Sequence, residues 1–437
     1  MTDSLKKTLS FFLPSDLLLF LKKLRFRLLL TKIRNKQKKR IERLKDKEQI
    51  KVIFILIHKA VWKYDRLYKL LENDSRFLPQ IVVCPYTQLE FNYMISEMDD
   101  IYNHFKNKGY NVVNSYHDEV AKWIDIKKEV KPDIIFFTNP HNLTKAEYYI
   151  HNFRDYITCY VPYAFVVIGL TRMHYGQRFH SLLWKYFLET DEHLSIYKSF
   201  QDFDYGNAKV TGYPALDSFF DKEYVPKAVW KKNSSVEYPA KKIIWAPHHS
   251  IADKEGSLMY STFLDYYDYF QKFAEQNRHI QIAFKPHPIL KNALYQRSDW
   301  GKERTDEYYN YWAINPNTQL EESDYVDLFI ESNALIHDSA SFMAEYMCTG
   351  HPVLFLKRSD DIRDRINSFG QKLYDLHYHS SSESEITEFI QDVILKGNDN
   401  RKSERDLFVE KTLKPSNGKL ATINIYEELE KQFKGVV

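Results

Sequence analysis

Residues 334–357 read ALIHDSASFMAEYMCTGHPVLFLK, and their reading decides the fold. The apolar run 334–337 predicts a short strand. Asp338, Ser339 and Ala340 supply turn and N-cap chemistry, and residues 341–348 predict a helix. Gly350 is placed to end that helix, and residues 352–356 return to strand. A strand that hands over to a helix leaves unpaired backbone N–H groups at the strand's carboxyl end. With the hydroxyls of Ser339 and Ser341 these favour an anionic phosphate. Ordinary helix capping accounts for the same residue types, so this stretch alone does not decide between the two.

Two further stretches repeat the pattern. IIWAPHHS (243–250) and IQIAFKPHP (280–288) are apolar strands that end abruptly in proline and histidine. Open α/β sheets gather ligands at the carboxyl ends of their strands. His248, His249, Lys285, His287, Asp338, Ser339 and Ser341 are therefore expected on one rim.

At 437 residues the chain is too long for one ordinary core, and two domains are expected. Glycine is scarce (12) while tyrosine (32) and phenylalanine (29) abound, and neither G-x-G-x-x-G nor G-x-x-x-x-G-K-[ST] occurs, so a glycine-rich phosphate loop is excluded. Cys84, Cys159 and Cys348 have no C-x-x-C spacing, which argues against a zinc ribbon or a disulfide framework and fits a reducing cytoplasm. Net charge is +3, but residues 1–47 carry +11, so the remainder is acidic. The basic charge belongs to one segment, and no nucleic-acid-binding spacing occurs in the rest.

Residues 9–30 mix apolar residues with Lys22, Lys23, Arg25 and Arg27, and the unbroken apolar run 17–21 is far too short to span a bilayer. Residues 1–48 are expected to form a basic amphipathic segment on an anionic membrane surface, on the cytoplasmic face; a helical arm that packs on a partner or on the fold itself is the alternative. From residue 49 strands and helices alternate. The run 51–58 (KVIFILIH) reads as a strand buried on both faces. Later expectations include helices over 117–130, 143–153 and 175–190, a strand over 193–197, a loop over 297–309 and a strand over 312–314. The resulting division is a first Rossmann-like domain over 49–222, a linker over 223–240, a second Rossmann-like domain over 241–400 and closing helices over 401–437, the last packed back on the first domain. The fold class is α/β: two doubly wound domains facing a cleft, a GT-B-type arrangement.

These motifs resemble the CDP-glycerol glycerophosphotransferases, the teichoic-acid primases and polymerases. The resemblance rests on Trp62-Lys63-Tyr64-Asp65, Gly212-Tyr213-Pro214 with Asp217, Trp245-Ala246-Pro247, Lys285-Pro286-His287-Pro288 and Asp338-Ser339-Ala340-Ser341, which occur in the family's order. It implies that Asp338, Ser339 and Ser341 meet the donor pyrophosphate, that Lys285 and His287 neutralise it and stabilise departing CMP, and that His249, or His248, bonds a phosphate oxygen or the glycerol. It implies a CDP-activated polyol donor, a membrane-linked glycan or polymer acceptor, and no protein-bound metal or other cofactor. The family's His-Gly motif, whose histidine resembles an acceptor base, falls at YVPYAFVVIG (160–169), which has no histidine; His58 or His174 would have to substitute. A GT-B glycosyltransferase that uses a nucleotide sugar, and a non-catalytic scaffold that binds nucleotide and membrane, are the alternative readings.

Overall fold

The continuous apolar run that follows Glu48 forms the central strand of a parallel sheet, as its burial on both faces requires. In the computed structural model, which describes residues 14–201, 205–231, 241–252, 259–322, 325–340 and 342–433, the chain divides into two units. The first comprises residues 1–164, 172–214 and 421–437, and the second comprises 165–171 and 215–420.

In the first unit β1 (Ile50–Leu56), β2 (Phe77–Val83), β3 (Val112–Asn114), β4 (Ile134–Phe137), β5 (Ile157–Tyr160), β6 (Lys185–Leu188) and β7 (Ala208–Val210) form one parallel sheet. Its order is β3-β2-β1-β4-β5-β6-β7, so the winding reverses between β1 and β4. Helices α1 (Ser15–Lys45), α2 (Asp65–Asn73), α3 (Phe91–Asn107) and α4 (Asp191–Ser199) belong to this unit. The Trp62–Asp65 motif is structural. Tyr64 Oη donates to the Phe137 carbonyl (3.0 Å) and accepts from the Val161 N–H (3.1 Å), tying the ends of β4 and β5 together. Asp65 accepts from Trp62 Nε1 (2.9 Å) and from the Tyr110 hydroxyl.

The second unit holds β8 (Lys241–Ala246), β9 (Ile280–Phe284), β10 (Thr318–Leu320), β11 (Ala334–His337), β12 (Val353–Leu356) and β13 (Tyr378–Ser380), with the order β10-β9-β8-β11-β12-β13, again all parallel. Its helices include α5 (Phe263–Gln276), α6 (Gly301–Ile314), α7 (Phe342–Met347) and α8 (Ser368–Asp375). Trp245 stacks on Phe270 with ring centroids 4.3 Å apart and packs against Phe284 and Trp312, which gives the many aromatics a place in the core. Residues 165–171 join this unit through main-chain bonds: Asn367 N–H donates to Val167 O (2.8 Å) and Gly169 N–H to Arg365 O (2.8 Å). A Cβ at Gly370 would lie 2.6 Å from Val167 O, so only glycine fits that approach.

Several sequence expectations are corrected. Residues 175–190 are not one helix, because β6 lies within them, and 193–197 is not a strand but part of α4. Thr190 caps α4, its Oγ1 accepting from His193 N–H (3.4 Å), and Asp191 and Glu192 occupy the first turn; that start signal outweighs the local alternation. Residues 297–309 and 312–314 fall largely in α6, whose Thr305, Tyr308, Tyr309 and Trp312 bury one face at helical spacing. Residues 117–130 hold a two-residue hairpin (Tyr116–His117 with Lys122–Trp123) and a single π turn, and 143–153 hold two 3₁₀ turns. The unit boundary falls at Pro214, ahead of the expected linker. Trp230, within that linker, is buried and donates to Leu328 O (3.2 Å); residues 232–240 lie outside the described set. Helix α9 (Ala421–Phe433) packs in the first unit through Arg76–Glu430 (3.2 Å), Lys185–Glu428 (2.6 Å) and Tyr426–Asp74 (2.6 Å), whereas residues 402–413 belong to the second.

The basic N-terminal segment is not a free amphipathic domain. Residues 1–13 lie outside the described set, and α1 has two opposed faces instead of one apolar stripe. Leu30, Ile33, Gln37, Ile41 and Leu44 are buried on the first unit, where Arg34 donates to Ser181 O (2.9 Å) and Arg40 to Pro132 O (3.0 Å). Leu17, Phe20, Leu21, Leu24 and Leu28 share another face and are exposed. The thirteen residues from Leu17 to Leu30 turn the helix by roughly 220° beyond whole turns, which puts the two faces on opposite sides.

Two outcomes follow. Tyr64→Phe leaves a buried carbonyl and a buried N–H without their partner and is expected to cost about 1–3 kcal/mol, read from the urea midpoint. His180, His337 and His174 are pushed down from 6.5, to about 3, 3 and 4, chiefly by burial. They are held neutral in the fold, so the unfolded chain takes up protons first as pH falls through 6.5. Stability is expected to be full above pH 7 and to drop below 6.5 by up to about 1.4 kcal/mol per pH unit for each of these histidines. Urea titrations at pH 7.5 and 5.5 read this directly; an unchanged midpoint would contradict it.

Candidate functional site

The strand order of the second unit reverses between β8 and β11, and a doubly wound sheet opens a crevice at the carboxyl ends of the strands there. β9, β8 and β11 are neighbours, so the three polar strand ends read from the sequence lie side by side. Main-chain bonds fix them: Lys285 N–H donates to Trp245 O (2.8 Å) and His287 N–H to Pro247 O (3.0 Å).

The histidine cluster is built on this frame. His248 and His249 have ring centroids 4.1 Å apart, and His287 lies 4.2 Å from His249 and 5.1 Å from His248. Each ring offers a nitrogen within 4.8 Å of the others, a spacing a metal ion could also use. The hydrogen bonds distinguish the two uses. His248 Nδ1 accepts from Ser250 N–H (3.2 Å) and lies 2.8 Å from Ser250 Oγ, which itself accepts from Tyr260 N–H (2.8 Å). His287 Nδ1 accepts from Ile289 N–H (3.2 Å). Tautomers assigned from these bonds leave Nε2 protonated on both rings, so they act as hydrogen-bond donors and suit an anion better than a cation. Burial, with the neighbouring histidines, holds His248 well below its usual value. Burial, then His249 and Lys285, lowers His287 to about 3, and burial lowers His249. The three rings are therefore neutral donors at physiological pH, and the buried Lys285 is the cation beside them.

Asp338 has a different place from the one the sequence suggested. It is fully buried, and its carboxylate accepts from His248 N–H (2.5 Å), Thr262 N–H (2.6 Å) and Thr262 Oγ1 (2.8 Å). Burial lifts it to about 6 against the lowering effect of those bonds. It positions the His248 loop rather than meeting a pyrophosphate, which it would repel. Ser339 is buried beside it; Ser341 lies outside the described residues. The helix that follows, α7, has only six residues, shorter than the expected 341–348, so its dipole is small.

The first unit has its own strand-end cavity, about 160 Å³, at the β1/β4 reversal. Thr138, Asn139, His141, Thr144, His151 and Gln177 are among its walls. The Thr144 hydroxyl is buried there without a hydrogen-bond partner. His141, which the sequence reading passed over, follows β4 in the segment Thr138-Asn139-Pro140-His141, a third strand ending in proline and histidine. Its Nδ1 takes a bond from Gln177 Nε2 (3.0 Å). His58 does not line this cavity; it packs edge-on against Tyr86, 4.5 Å away. His174 is buried behind His141, with ring centroids 5.8 Å apart, and is not among the cavity's walls.

No curated protein matches the chain by sequence. Among solved structures it is similar to the wall teichoic acid polymerase TagF in a His-to-Asn variant (14% identity, 95% of this chain and 98% of that one, TM-score 0.55). It is similar also to a UDP-N-acetylglucosamine 2-epimerase (13%, 89% and 98%, TM-score 0.56) and to S. aureus MnaA with UDP (16%, 88% and 96%, TM-score 0.53). At such identities the likeness establishes the fold, two Rossmann-like domains of GT-B type. A sequence profile described as CDP-glycerol:poly(glycerophosphate) glycerophosphotransferase matches residues 172–431, well over half of the chain, and so the protein belongs to that glycerophosphotransferase family.

Proposed function

We propose that the protein transfers glycerol phosphate, or a related polyol phosphate, from a CDP-activated donor to a hydroxyl of a membrane-linked glycan or polymer in the synthesis of a teichoic-acid-like or capsular surface polymer. The observation that carries this reading is the set of neutral, protonated-Nε2 histidines beside Lys285 at the switch point of the second sheet. Two N–H donors and an ammonium match a pyrophosphate. The acceptor hydroxyl attacks the phosphorus that bears the polyol as it gives up its proton to a general base, the bond from that phosphorus to the bridging oxygen breaks, and CMP departs with the charge. His287 and His248, the two rings protonated at Nε2, donate to the phosphate oxygens on which negative charge grows, with His249 beside them, and Lys285 balances that charge; such a transfer needs positioning and charge neutralisation above all. We assign the acceptor's terminal polyol to the first unit's strand-end cavity, where the side chain amides and the unpartnered Thr144 hydroxyl suit a polyhydroxyl group.

Membrane association on the cytoplasmic face belongs to the same reading. Among the described residues no helix is long and apolar enough to cross a membrane. The exposed face Leu17, Phe20, Leu21, Leu24 and Leu28 on α1 is flanked by Lys22 and Arg25, the chemistry of a helix lying in an anionic interface.

With CDP-glycerol, CDP-ribitol and nucleotide sugars offered together with a membrane-lipid extract, release of CMP is expected; release of a nucleoside diphosphate would replace this reading with glycosyl transfer. His287→Ala is expected to lower kcat/KM by about 10²–10³, and His287→Gln, which keeps an N–H donor, to recover part of it. Phe20→Ser with Leu24→Ser is expected to reduce binding to anionic vesicles while CMP release with a soluble acceptor persists. Undiminished vesicle binding would refute the role of that face. Deletion of residues 1–47 is a poorer test, because it removes the half of α1 that packs on the first unit.

A further inference from the structure

A second cavity, about 410 Å³, lies between α1 and the surface of the first unit, and four cations line it: Lys32 and Lys36 from α1, Lys127, and Arg154. One carboxylate, Asp155, shares the cavity and is paired with Lys36 at 2.8 Å. Lys32 and Lys127 have no ion-pair partner among the described residues. Arg154 spends its Nε on His151 O (2.8 Å), which fixes its plane and leaves its terminal nitrogens for another acceptor. The cavity therefore carries an uncompensated positive charge in a chain whose residues beyond 47 are acidic overall. His151, in its wall, reports the field. Burial, then Arg154 and Arg178, lowers its pKa.

Two placements indicate what such a cavity takes. The α1 residues Lys22, Arg25, Lys32 and Lys36 follow at three-, seven- and four-residue steps, a basic row on one flank of the helix. That row, whose Lys32 and Lys36 reach the cavity, lies beside the exposed apolar face that begins at Leu17. His151 is also a wall of the strand-end cavity, so the two spaces adjoin. We propose that this basic cavity binds a phosphodiester group of a glycerophosphate-type ligand, held by Lys32, Lys127 and Arg154 while the adjoining cavity takes the neighbouring polyol. Phosphate recognition by the cavity stands without any transfer reaction; only the identification of that phosphate as the acceptor's own rests on the proposed function.

The test compares Lys127→Glu with Lys128→Glu. The substitutions change net charge equally one residue apart, but only Lys127 lines the cavity, whereas Lys128 is an exposed partner of Asp125. Binding of the full chain is measured to a short glycerol phosphate oligomer free in solution, and to phosphatidylcholine vesicles with and without phosphatidylglycerol. Thermal unfolding serves as the check on folding. Lys127→Glu is expected to weaken binding about tenfold and Lys128→Glu less than twofold. Loss in the oligomer arm assigns the phosphate to the polymer; loss in the vesicle arm alone assigns it to a lipid head group. Equal losses in both variants, no loss in either, or no binding of either probe by the unaltered protein overturns the proposal. CMP release from the donor is recorded separately. Its absence with intact oligomer binding would remove the transferase reading and leave this site standing.

Discussion

One buried carboxylate holds the second unit's site together. Asp338 has no contact with solvent, and its two oxygens accept from the main chain at His248 and from both the main chain and hydroxyl of Thr262. A carboxylate without water is unfavourable unless its lone pairs are filled, and here the loop after β8 fills them. The loop in turn can take only the course that reaches Asp338, which brings His248 and His249 against His287. Because imidazoles and an ammonium gather at these strand ends, an anion bound there would need no glycine-rich turn, which accords with the scarcity of glycine in the chain.

The tautomers of the site follow from the same economy of partners. Ser250 passes a hydrogen bond from Tyr260 N–H on to His248, while Arg358 anchors the Ser250 carbonyl at 2.8 Å. Ile289 does the equivalent for His287. Neutral rings donate without carrying charge of their own, so an empty site avoids clustering three cations, and the arrival of a diphosphate would supply the charge that favours protonation.

Much of this was legible in the sequence, for reasons that can be named. The parallel sheets announced themselves as unbroken apolar runs such as 51–58, and the rim residues as proline and histidine where those runs stop. Function was harder to read where one residue type serves two purposes. Asp338 looks like a phosphate-site residue in one dimension and clamps a loop in three, and Trp62–Asp65, one of the motifs that carry the family resemblance, ties strand ends. His141 carries the same proline–histidine signature as His248 and His287, but it lies in the short stretch between the strand that ends at Phe137 and the helix expected over 143–153, where the pattern is not applied. The basic charge of α1 was visible as composition; that Arg34 and Arg40 are used up on carbonyls of the first unit could not be, because their partners lie far away in the chain. α4 was lost to alternation although Thr190-Asp191-Glu192 spelled a helix start.

The three-segment make-up of the first unit has a consequence for synthesis. Its sheet is complete by Val210, yet Asp74, Arg76, Lys185 and Thr211 find their partners on α9. At about 5–20 residues per second, that helix leaves the ribosome roughly ten to forty seconds after Thr211 does. During that interval the surface that α9 later covers, Phe77 included, is open while the second unit folds and is available to a chaperone.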